Sequence, residues 1–318
     1  MPTDVNRPPS WTTRLGGGLK RDFVLAPLTT LKIGGRAEWY FPAETTDDLV
    51  LALCTAREAG IPVTLLGDGS NVLISDRGIR GLVVHNRAHR IMAKGELLFA
   101  DSGALLSDLV DYSRQQSLTG LEFAAGIYGT VGGAVFGNAG AYGKAIGDIL
   151  HSSEVLTADC QRRTVGPDEF EFTYRQSACG RKRWVVLSAE VSLHTGDREV
   201  IGAEIDRIIA IRATKLPAGL PSAGSYFKNI EDPKAEHGKV PAGQLLEAIG
   251  AKAMRVGGAG VYERHANVII NLGGATAADV LGLAQKMADA VRERFGIQLQ
   301  SEVRFLGEPL DSQSVRMV

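Results

Sequence analysis

The chain has 318 residues, 44% of them hydrophobic and 22% charged, the proportions of a globular enzyme with ample core and room for two or three domains. A formal net charge of −1 leaves no global basic field to argue for nucleic acid or an anionic membrane surface. No run of about eighteen apolar residues occurs and the opening MPTDVNRPPSW lacks a signal peptide's apolar centre, so no membrane span is expected and the default location is cytoplasmic.

Residues 1–26 are polar, carry a Gly16-Gly17-Gly18 run and read as a flexible, poorly ordered leader. From Pro27, PLTTLKIGGRAEWYFPA reads as a turn at Gly34-Gly35 leading into a strand. Thr45 with Asp48 three residues on forms a capping box for a helix. Leu49, Leu53 and Ala56 share one face of it and Gly60 stops it. Ile61 to Leu66 reads as a buried strand running into Gly67-Asp68-Gly69-Ser70-Asn71, followed by the apolar Val72-Leu73-Ile74. The sixth position of G-x-G-x-x-G is Val72 and a strand follows, so this is not a dinucleotide fingerprint. It is either a plain β-turn or a main-chain phosphate contact aided by Ser70 and Asn71. A carboxylate at Asp68 would repel the anion unless it points away.

Short apolar runs between Gly81 and Gly103 suggest strands, and Leu105 to Gln116 a helix with Leu105, Leu109 and Tyr112 on one side. Gly120 to Gly143, GLEFAAGIYGTVGGAVFGNAGAYG, contains eight glycines. Either it is a tightly packed crossover or its main chain cradles a phosphorylated cofactor, with N–H groups donating to an anion. Ile149 to Ala158 and Trp184 to His194 read as strands flanking the loop Tyr174-Arg175-Gln176-Ser177. Arg175 gains a role there only if it faces the glycine segments, where its planar fork can hold a carboxylate in two hydrogen bonds.

Glu199 to Ile211 reads as a helix with Ile201, Ile205, Ile208 and Ile209 inward, ended by Lys215-Leu216-Pro217. Ser225 follows on a glycine turn, outside any G-x-S-x-G elbow. QLLEAIGAK reads as a helix, NVIINL as a strand, and Thr276 to Phe295 as a long helix capped with Asp279 and stopped by Gly296. In the final strand, alternation puts Ile297, Leu299, Ser301, Val303 and Phe305 on one face and Glu302 on the other, a surface carboxylate by default. Cys54, Cys160 and Cys179 have no CxxC spacing and no histidine partners. They read as small buried hydrophobes, with neither a disulfide framework nor a metal site expected.

These segments together resemble the UDP-N-acetylenolpyruvoylglucosamine reductases, also called UDP-N-acetylmuramate dehydrogenases. The resemblance spans Pro27 to Gly307 and rests on TLKIGGRA, LLGDGSNVLISDRG, the glycine stretch, YRQS, GSYFKN, ERHANVIIN and SEVRFLG, in that order. It implies an α+β protein with a two-lobed FAD-binding domain of the vanillyl-alcohol-oxidase type over 27–196, its lobes at about 27–84 and 85–196. A smaller α+β substrate domain over 197–307 and a tail at 308–318 would follow. The activity implied is NADPH-dependent reduction of the enolpyruvyl group of a UDP-sugar, giving UDP-N-acetylmuramate for peptidoglycan, with non-covalent FAD, NADPH as hydride donor and no protein partner.

Carried over by position, the catalytic set would be Arg175, Ser225 and Glu302. Cofactor contacts would be Gly67, Gly69, Ser70, Asn71, Gly126, Gly129, Thr130, Gly133, Asn138, Ala139, Gly140 and Tyr142, and substrate contacts Lys215 and Asn229. The chain departs from the family pattern at Thr29, Asp68, Tyr128 and Ile230, and its short connection from Arg175 to Ser225 resembles the branch without an extra tyrosine-bearing loop. Two other readings keep the fold: a flavin oxidase with another substrate, and a flavin or nucleotide-sugar binder without turnover. Retention of all three reacting groups argues against the binder, and the lack of a recognisable covalent-flavin motif against the oxidase.

Overall fold

The computed structural model describes residues 10–215, 219–235 and 238–309. They form two compact units. The first comprises residues up to Phe23, Glu38–Gly67 and Gly81–Ile208; the second Val24–Ala37, Asp68–Arg80 and everything from Ile209 on.

In the first unit the helix Thr46–Glu58 starts at the expected capping box, with Thr45 Oγ1 accepting from the Asp48 N–H and Asp48 accepting from the Thr45 N–H. Its Leu49, Ala52 and Ala56 are buried with Phe41, Leu82, Val84 and Leu187. The neighbouring sheet runs in the order Lys20–Val24, Arg36–Ala43, Ile79–Asn86, Val63–Leu66, and its last two strands are parallel. Val63–Leu66 is therefore an edge strand. Val63 and Leu65 are exposed rather than buried as expected, and Leu66 alone is fully covered.

Residues 10–23, expected as part of a poorly ordered leader, are built into this unit. Trp11 and Leu15 are only 7% and 6% exposed, Trp11 meets Trp39 edge-on, and Lys20–Val24 is the outer strand. Two apolar side chains four residues apart are too sparse a signal to stand out among polar neighbours.

The same unit holds an antiparallel five-stranded sheet in the order Arg162–Val165, Leu150–Leu156, Val185–Ser192, Leu97–Asp101, Ile91–Lys94. Its core joins Leu106 and Leu109 of the helix Leu106–Gln115, Val131 and Val135 of the helix Val131–Phe136, and Ile201, Ile205 and Ile208 of the helix Arg198–Ala213. Ile209, expected on that face, is exposed because it lies about 100° round the helix from Ile208. Leu105, also expected inward, precedes its helix and is exposed. The expected stop at Leu216-Pro217 lies outside the described residues, and the helix has ended by Ala213.

The second unit has an antiparallel sheet in the order Ser222–Ser225, Val268–Asn271, Ala259–Val261, Arg255–Val256. Its long helix, Ala277–Phe295, has the expected capping box at Thr276 and Asp279 and ends on Gly296 in the left-handed conformation. That helix buries Val280, Leu283, Met287 and Val291 against Leu246, Leu31, Ile33 and Leu73. Arg304–Leu306 pairs in parallel with Val72–Ile74, and Asp76 accepts from the Ala277 and Ala278 N–H groups at 2.8 and 3.2 Å. These contacts draw Val24–Ala37 and Asp68–Arg80 to the C-terminal residues, where residues 24–26 are expected in the leader and 27–37 and 68–80 inside the first lobe. Regular strand in the final segment is confined to Arg304–Leu306, although the expected alternation holds, with Leu299 and Val303 buried. Most of the 308–318 tail lies outside the described residues.

Candidate active site

The glycine stretch is ordered by the chain that surrounds it in the first unit. The Gly129 carbonyl accepts from Leu106 N–H at 2.9 Å, and the Val131 and Gly132 N–H groups donate to the Ala104 and Ser102 carbonyls at 2.8 Å each. Thr130 then caps the short helix Val131–Phe136, its Oγ1 accepting from the Gly133 N–H at 3.2 Å. Gly67 passes so close that a Cβ there would lie 2.8 Å from that same hydroxyl. Beyond the helix, Asn138 is 8% exposed and uses both ends of its amide: Oδ1 accepts from Gly147 N–H at 2.9 Å and Nδ2 donates to the Thr173 carbonyl at 3.0 Å. Ala139 is tied by a 2.8 Å bond from its N–H to the Ala134 carbonyl, and Gly140–Ala141 pairs with Lys144–Ala145.

Asn138, Tyr142 and Arg175 all take left-handed backbone conformations, with φ of 44°, 53° and 57°. Such conformations cost free energy outside glycine and concentrate where a site demands a particular main-chain shape. Arg175 is half-buried and donates from Nη1 to the Gly140 carbonyl at 2.9 Å; Ser177 Oγ donates to the Phe136 carbonyl at 2.6 Å. The YRQS loop thus lies on the glycine stretch, the condition under which Arg175 gains a role. Gly126, Gly129, Thr130, Gly133, Asn138, Ala139, Gly140, Tyr142 and Arg175 all belong to this one unit, and Gly67 ends one of its segments.

The other predicted residues sit in the second unit. Gly69 has φ +65°, and a Cβ there would lie 2.1 Å from the Leu28 carbonyl oxygen, so this turn admits only glycine. Asn71 Nδ2 donates to the Glu302 carbonyl at 3.2 Å, and the Asn71 carbonyl accepts from Arg304 N–H at 3.1 Å, which joins the GDGSN turn to SEVRFLG. Glu302 is half-buried, not the surface carboxylate expected from alternation, because residues 300–302 lie beside residues 226–228. Ser225 ends the strand Ser222–Ser225, opposite Val268 and just after Gly224 at φ +73°. Asn229 is exposed, and its Oδ1 accepts from Ala242 N–H at 3.1 Å; part of its side chain thus starts the helix Ala242–Ala248.

Electrostatics in this unit suit an anion. Burial pushes the Asp68 carboxyl up, and Lys32 pulls it the other way; that ammonium is the counter-charge missing from the argument that Asp68 repels phosphate. Burial, then the Lys215 and Lys252 ammonium groups, push His265 down. Lys215, exposed at the end of its helix, is therefore one of two cations close to a largely buried imidazole. His265 lies within the ERHANVIIN motif without a role of its own being expected there, and Lys252 is an isolated polar residue that does not stand out in sequence. Among the described residues no cluster of His, Cys, Asp or Glu could hold a metal ion, and no helix is long and apolar enough to cross a membrane.

A family profile described as FAD binding domain matches residues 37–166, and one described as UDP-N-acetylenolpyruvoylglucosamine reductase, C-terminal domain, matches residues 216–306. The UDP-N-acetylenolpyruvoylglucosamine reductase of Synechococcus sp. is 41% identical over 301 residues, 94% of each protein. That of Gloeobacter violaceus is 43% identical over 291 residues, 90% of this chain and 96% of the relative. The crystal structure of the corresponding reductase from Thermus caldophilus superimposes with a TM-score of 0.76 at 31% identity, covering 90% of this chain and 98% of that one. The chain belongs to the UDP-N-acetylenolpyruvoylglucosamine reductase family.

Proposed function

We propose that Arg175, Ser225 and Glu302 carry the reaction of this flavoenzyme, the NADPH-dependent reduction of UDP-N-acetylglucosamine enolpyruvate to UDP-N-acetylmuramate. The chain is an oxidoreductase of peptidoglycan precursor synthesis that uses FAD and NADPH. FAD, when bound, supplies the hydride that reaches the terminal carbon of the enol ether. The first unit fits such a cofactor: Gly126, Gly129, Gly133 and Gly140 leave bare main chain, and Thr130, Asn138 and Arg175 hold it in place through the bonds described above. Gly126, Gly129, Thr130, Gly133, Asn138, Ala139, Gly140 and Tyr142 are the contacts we assign there, with Gly67, Gly69, Ser70 and Asn71 contributing the GDGSN turn.

The chain's own residues do the rest. Charge develops at the carbon next to the substrate carboxylate, and the Arg175 guanidinium meets it with two parallel donors. Ser225 gives its hydroxyl proton to that carbon, which is basic enough to take it. Glu302 assists at the developing enolate, donating a hydrogen bond from its protonated form. Lys215 and Asn229 bind the sugar nucleotide, Lys215 as a point charge towards its diphosphate. A cytoplasmic setting belongs to the same proposal, since Cys54, Cys160 and Cys179 are all free thiols of the kind a reducing compartment maintains.

One observation carries this assignment. Ser225 immediately precedes Tyr226, and the Tyr226 carbonyl accepts from the Glu302 N–H at 2.7 Å, so the proton donor and the carboxyl group stand on adjoining segments. The test is to replace Ser225 with Ala and follow the two half-reactions separately under anaerobic conditions. Reduction of the bound flavin by NADPH should be unchanged and its reoxidation by the enolpyruvyl sugar nucleotide slowed; equal loss of both would overturn the role of Ser225.

A further inference from the structure

The segment ERHANVIIN has no part in the reaction as described, yet one of its side chains, Asn267, is 2% exposed and fully engaged. Its Oδ1 accepts from the Phe227 N–H at 2.9 Å and its Nδ2 donates to the Phe227 carbonyl at 2.8 Å, while its own carbonyl accepts from the Tyr226 N–H at 2.7 Å. The side chain thereby takes over from the main chain. The ladder between Ser222–Ser225 and Val268–Asn271 ends at the pair Ser225 and Val268. Beyond it the partner chain turns away through the bonds Val268 N–H to His265 carbonyl and His265 N–H to Tyr262 carbonyl, both 3.1 Å. A primary amide presents the same donor and acceptor as a peptide group, so Asn267 extends the sheet by one more pair where the backbone no longer can.

The other edge of residues 226–228 is occupied as well. Glu302 N–H donates to the Tyr226 carbonyl at 2.7 Å, Lys228 N–H donates to the Gln300 carbonyl at 2.9 Å, and Phe227 bridges Ser301. Tyr226 and Phe227 are buried, at 5% and 1% exposure, so water cannot replace a lost partner. Ser225 is the last ladder residue, paired with Val268, and the strand before it is irregular, with Gly224 at φ +73° and a break in register. Its position depends on what comes after.

We propose that Asn267 is a positioning residue for the reaction: by clamping Tyr226 and Phe227 it fixes both Ser225, one residue before the clamp, and Glu302, bonded across it. Asn267 has no role as acid, base or ligand. The inference rests on the assignment of Ser225 as proton donor, and its test keeps the two separable. A group displaced by about 1 Å can lose on the order of a hundredfold in rate.

The experiment uses the FAD-loaded full chain under anaerobic conditions, with NADPH reduction and reoxidation by UDP-N-acetylglucosamine enolpyruvate followed at the flavin absorbance. Asn267→Leu keeps the branched outline of the side chain, at a larger volume, and removes both side-chain bonds. Flavin reduction should stay within about twofold of wild type while reoxidation slows by about tenfold to a hundredfold. Asn267→Asp retains the acceptor for Phe227 N–H and should fall between wild type and Asn267→Leu; this milder variant carries the test if the leucine form does not fold. In a Ser225→Ala background Asn267→Leu should slow reoxidation by less than it does alone, because one of the two groups it positions is gone. Unchanged reoxidation in both Asn267 variants, or the same factor with and without Ser225, overturns the positioning role and leaves the assignment of Ser225 standing. If Ser225→Ala alone leaves reoxidation untouched, that assignment falls and the inference falls with it.

Discussion

Arg175 donates from Nη1 to the Gly140 carbonyl at 2.9 Å while its own backbone sits at φ 57°. The bond fixes the guanidinium against the glycine stretch. Arg175→Lys keeps the charge and loses the fork. We expect flavin reoxidation by the sugar nucleotide to slow about a hundredfold, with NADPH reduction near wild type. Stopped-flow absorbance separates the two, and a lysine variant within about twofold of wild type in both would show that the planar fork is not needed.

Gly69 and Gly60 have nearly the same φ, +65° and +66°, but a Cβ at Gly69 would lie 2.1 Å from the Leu28 oxygen whereas nothing lies within 4 Å at Gly60. Gly60→Ala should cost about 1 kcal/mol, the left-handed penalty alone. Gly69→Ala should cost about 3 kcal/mol or more and lower the flavin bound per chain, because the turn itself must move. Urea unfolding and the flavin-to-protein absorbance ratio check both, and equal losses at the two positions would contradict the collision.

Trp11 is buried with Leu15, Phe41 and Leu49 and meets Trp39 at a ring distance of 5.5 Å. Trp11→Ala should destabilise the first unit by about 3 kcal/mol, as large-to-small changes in a packed core do. A chain starting at Leu19 should unfold well below the full chain, because it lacks Trp11 and Leu15. Thermal unfolding followed by circular dichroism measures each.

Features that depend on neighbours in sequence were legible there. The capping boxes at Thr45 and Asp48 and at Thr276 and Asp279, with Gly296 as stop, need only four or five consecutive residues to form, and both stand where the sequence places them. The crowding of glycines between Gly120 and Gly143 likewise marks main chain shaped for close approach. What was not legible depends on partners far along the chain. Asp76 caps a helix that begins 201 residues later, and Val72–Ile74 pairs with Arg304–Leu306. Nothing local in Asp68–Arg80 says that it packs with C-terminal residues. Glu302 illustrates the same limit: alternation gives its face as opposite Val303, but not that its segment hydrogen-bonds along residues 226–228. The FAD and substrate assignments came from seven short motifs in fixed order, none of them specific alone.

His265 and His85 are both pushed below the ordinary histidine range, first by burial and then by cations, Lys215 and Lys252 for His265 and Arg87 for His85; Glu247 and Glu44 pull weakly the other way. Well above an ordinary pKa of about 6.5 both folded and unfolded chains hold these rings neutral. As pH falls below that value the unfolded chain takes up protons first, so stability is present above it and is lost as pH falls towards the folded-state values. His265→Gln should therefore flatten part of the fall in unfolding temperature between about pH 7.5 and 5.5. An unchanged slope would mean that the ring titrates alike in both states.

This flavoprotein passes hydride from NADPH by way of FAD to an enolpyruvyl sugar nucleotide, and the proposed set Arg175, Ser225 and Glu302 handles the charge and the proton that accompany it. The most direct measurement loads the full chain with FAD, reduces it with NADPH without oxygen, and mixes the reduced enzyme in parallel with UDP-N-acetylglucosamine enolpyruvate and with air-saturated buffer. Rapid recovery of the oxidised flavin spectrum with the sugar nucleotide, slow recovery with oxygen, and formation of UDP-N-acetylmuramate in step with the recovery are the predicted results. Fast reoxidation by oxygen with none by the sugar nucleotide, or a flavin that NADPH does not reduce, would contradict it.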